Sequence, residues 1–170
     1  MKNLKKFRLL LFVLGCVVYA PSNAQASGHP EVVTGVGLLN VFNDDESSQW
    51  MGSVEYRFSE WQWSLQPWVG AAGAKHGTAF VSTGLIYVHE TKSGIRLAAA
   101  FAPTLYDANS GRDLGSTLQF YSFGELGYTF NNHHVLGVRL GHLSNGGFAC
   151  RNPGVETLLL TYTLPLSARK

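Results

Sequence analysis

The sequence predicts an all-β protein, an eight-stranded antiparallel transmembrane β-barrel of the bacterial outer membrane. About eight segments of roughly ten residues have strand character, and turn residues separate them. A tilted strand needs about ten residues to cross the hydrocarbon layer, and an even number of antiparallel strands closes without an exposed edge. After residue 26 the chain is rich in glycine and aromatic residues, and it contains no apolar run long enough for a transmembrane helix.

The N-terminal segment 1–26 is typical of a secretory signal peptide. Residues 1–8 carry four basic side chains and no acidic one, residues 9–20 form a short apolar run, and residues 24–26 form a small-x-small cleavage site. We therefore predict that the barrel domain comprises residues 27–170. The chain has 13 basic and 11 acidic residues, and removing four basic ones leaves 9 and 11, a net charge of −2. This balance gives no support to a nucleic-acid partner, which would require a clustered basic surface.

The eight predicted strands follow one another at regular spacing. In order, they are 32–42, 49–58, 63–72, 78–89, 94–104, 117–130, 134–143 and 155–166. The first and fourth alternate poorly, which leaves their ends poorly defined. In most of the others, apolar side chains alternate with polar ones, as expected for a barrel wall between lipid and a polar interior. The clearest apolar stripes are Trp50, Val54, Tyr56 and Phe58; Ile95, Leu97, Ala99 and Phe101; Leu118, Phe120, Leu126 and Tyr128; Leu136, Val138 and Leu140; and Leu158, Leu160, Tyr162 and Leu164.

Charged side chains occupy the opposite, inward face of these strands. They are Glu55, Arg57, Arg96, Glu125 and Arg139. Charges inside a narrow barrel must be paired, and two acids with three bases nearly satisfy this requirement. The interior of an eight-stranded barrel is filled by such side chains, so we expect a packed core and not a pore.

The connections predict how the barrel is oriented in the membrane. The turns after the second, fourth and sixth strands are short, whereas 106–116 and 145–154 are longer. Outer-membrane barrels have short periplasmic turns and longer outer loops. An aromatic girdle is expected near the short turns, from Phe58, Trp61, Trp63, Tyr87, Tyr128 and Phe130. This orientation places the end of the seventh strand at the surface of the outer leaflet.

A histidine and a serine lie two residues apart at that strand end. Residues two apart in a strand point to the same face, so His142 and Ser144 share the outward face, and Glu156 begins the outward stripe of the next strand. A hydroxyl, a base and a carboxylate are what nucleophilic acyl transfer requires. We predict that Ser144 is the nucleophile, that His142 is the general base and then the acid, and that Glu156 orients the imidazole.

One strand register satisfies both the predicted triad and the lipid-facing stripes. If His142 lies opposite Glu156 in an antiparallel pair, Val138 lies opposite Leu160, and all four side chains face outward. A slip of one residue would turn one apolar stripe into the barrel. A substrate that comes out of the membrane is therefore expected.

The residues after Ser144 suggest how a developing oxyanion would be stabilised. Asn145, Gly146 and Gly147 would leave backbone N–H groups free to donate to it. The same Ser-Asn-Gly-Gly segment is also an ordinary turn sequence, and His142 or Glu156 taken alone has a plain structural explanation. Their spacing, common face and membrane position together favour catalysis.

Other chemical motifs are weak or absent from the sequence. No GxSxG, HExxH or phosphate-binding glycine loop is present, and we predict no metal site and no cofactor. The acidic segment 43–46 would be a solvated outer loop more readily than a cation site. Cys16 lies in the predicted signal peptide, so Cys150 would be a free thiol in a loop.

The C-terminal segment resembles a known family, the outer-membrane lipid A 3-O-deacylases. The resemblance rests on His142-Leu143-Ser144-Asn145, on Asn152-Pro153-Gly154, and on Glu156 twelve residues after Ser144. It implies an eight-stranded barrel whose Ser-His-Glu triad opens toward the outer leaflet of a Gram-negative cell. By matching position, Ser144, His142 and Glu156 would form the triad, and Asn145 and Asn152 would belong to the oxyanion region.

The resemblance also implies a substrate and partners. The family hydrolyses the ester at the 3-position of lipid A in lipopolysaccharide and releases a 3-hydroxy fatty acid, so lipopolysaccharide and outer-membrane lipid are the expected partners. A homodimer is compatible with the sequence. Two alternatives remain open at this stage: an outer-membrane phospholipase with similar chemistry, and a non-enzymatic structural or adhesive barrel whose three polar residues meet by accident.

Overall fold

The computed structural model describes residues 29–42 and 47–166. The predicted signal peptide and the acidic segment 43–46 lie outside the described residues. Within the described part of the chain, no helix is long and apolar enough to span a membrane.

Eight antiparallel strands close into a barrel in which each strand pairs with its neighbours in sequence and the first pairs with the last. The strands are β1 (Glu31–Leu39), β2 (Gln49–Arg57), β3 (Leu65–Ala74), β4 (Ala79–Glu90), β5 (Ile95–Asp107), β6 (Leu118–Thr129), β7 (Val135–Ser144) and β8 (Val155–Pro165). A short 3-10 turn, Lys75–Gly77, connects β3 to β4. The predicted fold class is confirmed.

The strand ends differ from the prediction where the backbone leaves the β region. β3 begins at Leu65 and not at residue 63, because Trp63 and Ser64 have φ values of 55° and 59° and form a turn. β1 ends at Leu39 because Asn40 has a φ of 67°. Left-handed backbone conformations interrupt the pleat, and alternation in the sequence does not reveal them.

The barrel interior is packed with side chains, as predicted. Its charged members are Glu31, Glu55, Arg57, Arg96, Glu125 and Arg139, all of them buried. Arg139 binds Glu55 and Glu125, and Arg96 binds both oxygens of Glu31 at 2.8 and 2.6 Å. Glu31 was not among the predicted interior charges because the first strand was predicted to begin at residue 32. With Glu31 included, three acids face three bases, so the buried cluster is balanced.

The two ends of the barrel differ in their connections. One end carries the β1–β2 connection, the turn Lys75–Gly77, the β5–β6 loop (108–117) and the β7–β8 loop (145–154). The other end carries the β2–β3, β4–β5 and β6–β7 turns. Five of the six side chains predicted for an aromatic girdle are exposed near this second end: Phe58, Trp63, Tyr87, Tyr128 and Phe130. The sixth, Trp61, is half-buried. The candidate site lies at the first end.

Candidate active site

The β7–β8 register is the one predicted from the sequence. His142 is the partner of Glu156, and Val138 is the partner of Leu160. The stripes of both strands are exposed on the outside of the barrel, including Leu136, Val138, Leu140, Leu158 and Leu160. His142 and Glu156 therefore lie side by side at the end of a continuous apolar outer surface.

The two side chains are in contact. Nδ1 of His142 lies 3.2 Å from Oε1 of Glu156, and the side chains are 48% and 30% exposed. This contact leaves Nε2 as the ring nitrogen available to a second group. A carboxylate in this place holds the ring in one orientation and stabilises the imidazolium form, which is the part that Glu156 would play in a triad.

Gly154 determines where the other edge of the imidazole can lie. A β-carbon on Gly154 would lie 2.7 Å from Cε1 of His142 and 3.3 Å from Nε2. Continued one residue beyond its last pair, Leu143 and Val155, the β7–β8 register places Gly154 opposite Ser144. The edge of the ring formed by Cε1 and Nε2 therefore lies on the side of residue 154, which is opposite Ser144.

Ser144 is the last residue of β7 and is half-buried. No hydrogen bond within the described residues engages its hydroxyl, so Oγ can rotate toward the imidazole or toward an ester carbon. Contacts between a nucleophile and its base commonly tighten only when substrate binds. The structure thus brings the three predicted residues to one outward face, with the His142–Glu156 contact formed.

The loop after Ser144 is held by Asn145, which is 1% exposed. Its side-chain amide donates to the carbonyls of Leu114 at 2.8 Å and Arg151 at 2.6 Å, and its Oδ1 accepts the N–H of Gly147 at 3.0 Å. The backbone N–H of Asn145 donates to Oδ1 of Asn152 at 3.0 Å. Every polar atom of the Asn145 amide is therefore engaged within the loops.

Because of this network, fewer backbone N–H groups are free to stabilise an oxyanion than we expected. We expected the N–H groups of Asn145, Gly146 and Gly147 to be free, but those of Asn145 and Gly147 are hydrogen-bonded. The reason is that Gly146 and Gly147, with φ values of 64° and 80°, fold the loop back onto the Asn145 side chain. Among the described residues, the N–H of Gly146 and the side-chain N–H groups of exposed Asn152 have no partner. These are the donors that remain for an oxyanion.

A cavity of about 310 Å³ opens on the outer face beside the imidazole. It is lined by Phe42, Ser122, Phe123, Gly124, Leu140, Gly141, His142 and Glu156. Ser122 and Gly124 are the β6 partners of His142 and Leu140, and a β-carbon on Gly124 would touch nothing within 4 Å. Small side chains on β6 thus leave room for an apolar group next to His142.

Ser122 and Gly124 were not predicted as site residues. Their signal was present in the outward stripe of the sixth segment, where two small residues separate Phe120 from Leu126. Within residues 29–42 and 47–166, no group of three or more His, Cys, Asp or Glu side chains is arranged to hold a metal ion. Cys150 is an exposed free thiol in the β7–β8 loop.

Comparison with solved structures supports the fold. A crystal structure of the outer membrane enzyme PagL matches with a TM-score of 0.63 and 24% identity, over 80% of this chain and 99% of that one. Neisserial surface protein A matches with a TM-score of 0.53 and 12% identity, over 81% of this chain and 96% of that one. At these identities the likeness concerns the barrel architecture.

Comparison of sequences identifies the family. The lipid A deacylase PagL of Pseudomonas aeruginosa is 29% identical over 139 residues, which are 75% of this chain and 76% of that protein. The PagL of Bordetella bronchiseptica is 33% identical over 69 residues, 39% of each chain. The family model described as lipid A 3-O-deacylase (PagL) matches residues 34–165. Because that match spans well over half of the sequence, the chain belongs to the lipid A 3-O-deacylase family.

Proposed function

We propose that this protein is an outer-membrane esterase that hydrolyses the 3-O-linked acyl chain of lipid A in lipopolysaccharide and releases a 3-hydroxy fatty acid. The observation that carries the proposal is the His142–Glu156 contact of 3.2 Å on the apolar outer face, with Ser144 one step farther along the same face. Family membership supports the substrate. Lipid A lies in the outer leaflet, so the proposal also places the loop end of the barrel at that leaflet.

In the proposed first step, Oγ of Ser144 attacks the ester carbonyl carbon while Nε2 of His142 takes the hydroxyl proton. Glu156 stabilises the imidazolium that forms. The negative charge on the former carbonyl oxygen is stabilised by N–H donors of the β7–β8 loop, for which Gly146 and Asn152 have free groups. The C–O bond to the sugar then breaks, and the leaving sugar oxygen takes the proton from His142. The product of this step is an acyl-Ser144 ester.

In the second step, water attacks the acyl-Ser144 ester. His142 takes a proton from the water and returns one to Oγ of Ser144, which regenerates the enzyme and releases the fatty acid. The cavity bounded by Ser122, Gly124 and Leu140 lies beside His142 and suits the apolar chain that the ester carries. A substrate still embedded in the leaflet would therefore reach the site from the side of the barrel.

Mass spectrometry of lipid A and phospholipids tests the proposed reaction. Cells that express the protein should lose one primary 3-hydroxyacyl chain from lipid A and gain free 3-hydroxy fatty acid, and cells that express Ser144→Ala should not. Accumulation of lysophospholipid would instead identify a phospholipase. No lipid change with a folded barrel would indicate a structural or adhesive protein.

Purified protein tests whether a metal ion takes part. A Ser-His-Glu set supplies its own nucleophile and proton shuttle, so activity in detergent should persist in excess chelator. Complete loss that calcium restores would contradict the proposed mechanism.

A further inference from the structure

The β5–β6 loop contacts the residue that directly follows the proposed nucleophile. Asn145 donates one N–H of its side-chain amide to the carbonyl of Leu114 and the other to the carbonyl of Arg151. The first carbonyl belongs to the β5–β6 loop and the second to the β7–β8 loop. The Asn145 amide therefore joins both loops at a point adjacent to Ser144.

Leu114 anchors the β5–β6 loop to the barrel core at this contact. Its side chain is 1% exposed and packs in the same buried cluster as Tyr106, Leu143 and Val155. The hydroxyl of Tyr106 donates to the carbonyl of Arg112 at 2.8 Å, two residues before Leu114. A loop that buries a large side chain and is hydrogen-bonded to the core offers its carbonyl in a defined position.

Gly115 fixes the distance between the two loops. It has a φ of 81°, and a β-carbon there would lie 2.4 Å from the carbonyl oxygen of Arg151. That oxygen is the one that accepts from Asn145 at 2.6 Å. Both the backbone conformation and the close approach require glycine, because any side chain would push the Arg151 carbonyl away from the Asn145 amide.

We propose that Leu114 and Gly115 are positioning residues for the active site. They hold the Asn145 amide, and through it the turn that carries the free N–H of Gly146 beside Ser144. Neither residue lines the cavity next to His142, so the effect acts through Asn145. The inference rests on the proposed function, since it assigns the β5–β6 loop a part in ester hydrolysis.

The expected effect is on turnover and not on substrate binding. A misplacement of about 1 Å in catalytic geometry can cost ~10²-fold in rate. Gly115→Ala should therefore lower kcat on lipid A by about 10- to 100-fold, with KM changed by less than about threefold. It should slow the covalent reaction of a fluorophosphonate with Ser144 to a similar degree, because that reaction needs the same nucleophile and oxyanion donors.

Gly94→Ala is the matched control. Gly94 has a φ of 85°, and a β-carbon there would lie 2.9 Å from the carbonyl oxygen of Thr129, but it belongs to the β4–β5 turn at the opposite end of the barrel. Both variants introduce a similar backbone strain. Only Gly115→Ala should lower kcat and the labelling rate, with both rates scored on the folded fraction in a heat-modifiable gel assay.

A second variant keeps the inference testable if Gly115→Ala folds poorly. Leu114→Ala removes the buried side chain and should also lower kcat with little change in KM. The double variant Asn145→Ala with Gly115→Ala should lose no more kcat than the more affected single variant, because both changes disturb the same contact between the two loops.

The possible results separate the inference from the proposed function. Wild-type turnover and labelling in Gly115→Ala, or an equal loss in Gly94→Ala, would overturn the positioning role while leaving the esterase intact. A double variant whose loss of kcat equals the product of the Asn145→Ala and Gly115→Ala losses would also overturn it. A wild-type protein that neither hydrolyses lipid A nor reacts with fluorophosphonate would overturn the proposed function, and the positioning role with it.

Discussion

Gly154 lies so close to His142 that a β-carbon at this position would sit 2.7 Å from Cε1 of the imidazole. The ring therefore occupies the space that a side chain at residue 154 would otherwise fill. Glu156, two residues farther along, contacts the adjacent ring nitrogen Nδ1 at 3.2 Å. The orientation of His142 is thus determined by one carboxylate that attracts it and one missing side chain that makes room for it.

This arrangement predicts that Gly154→Ala impairs the reaction. The new methyl group would displace the imidazole, and the φ of 65° at this residue is strained for alanine. We expect a fall in kcat of about 100-fold, the size of effect that a small misplacement produces. Turnover of lipid A by the folded protein measures it. Gly94→Ala carries similar strain far from the site and serves as the control, and wild-type turnover in Gly154→Ala would contradict this view of the ring.

The two outward serines near the imidazole should differ sharply in importance. Ser144→Ala should lower turnover by several orders of magnitude, as loss of a triad nucleophile does, and His142→Ala should have a comparable effect. Ser122→Ala should cost no more than about tenfold, because the free edge of the ring faces Gly154 and not β6. Initial rates on lipid A and fluorophosphonate labelling distinguish the two serines. A labelled Ser144→Ala protein would show that Ser144 is not the nucleophile.

Glu156 should be the least critical member of the triad, although its charge matters. Glu156→Gln keeps the shape and removes the charge that stabilises the imidazolium, so it should lower turnover strongly but leave more activity than Ser144→Ala. Glu156→Asp withdraws the carboxylate by one methylene and should fall between Gln and wild type. Initial rates of the three variants provide the ranking. Unchanged rates in Glu156→Gln would reduce the site to a Ser144–His142 dyad.

The buried charge cluster should contribute to stability independently of catalysis. Arg139 binds both Glu55 and Glu125 inside the barrel, so Arg139→Met leaves two buried carboxylates without this partner. Removing one member of a buried ion pair typically costs about 3–5 kcal/mol in the free energy of unfolding. Urea unfolding in lipid vesicles measures the change.

The exposed pair of Arg151 and Asp113, 3.7 Å apart, is the stability control. Arg151→Ala should leave the urea midpoint nearly unchanged, because exposed ion pairs contribute little. Equal midpoints for wild type and Arg139→Met would show that the interior charges do not stabilise the barrel.

Much of this barrel is determined by local patterns in the sequence. Period-two alternation identifies the lipid-facing stripes, and alternation on β7 and β8 sets the register that pairs His142 with Glu156. A register error would move a whole apolar stripe away from lipid, so the hydrophobic effect selects one pairing. The selected register also places His142 beside Glu156, which is why the relative position of these two residues could be predicted. A strand end that depends on one left-handed residue, such as Asn40, carries no comparable signal.

Tertiary structure alone decided the relationships between residues that are distant in the chain or that lack a side chain. The side-chain contact of Asn145 with Leu114 joins two loops. The backbone N–H groups of Asn145 and Gly147, expected to be free, donate instead to the side chains of Asn152 and Asn145. The space at Gly154 and Gly124 exists only because neighbouring strands surround it. Alternation is a property of one strand and reflects burial, whereas loop-to-loop hydrogen bonds and cavities depend on how the closed barrel brings separate segments together.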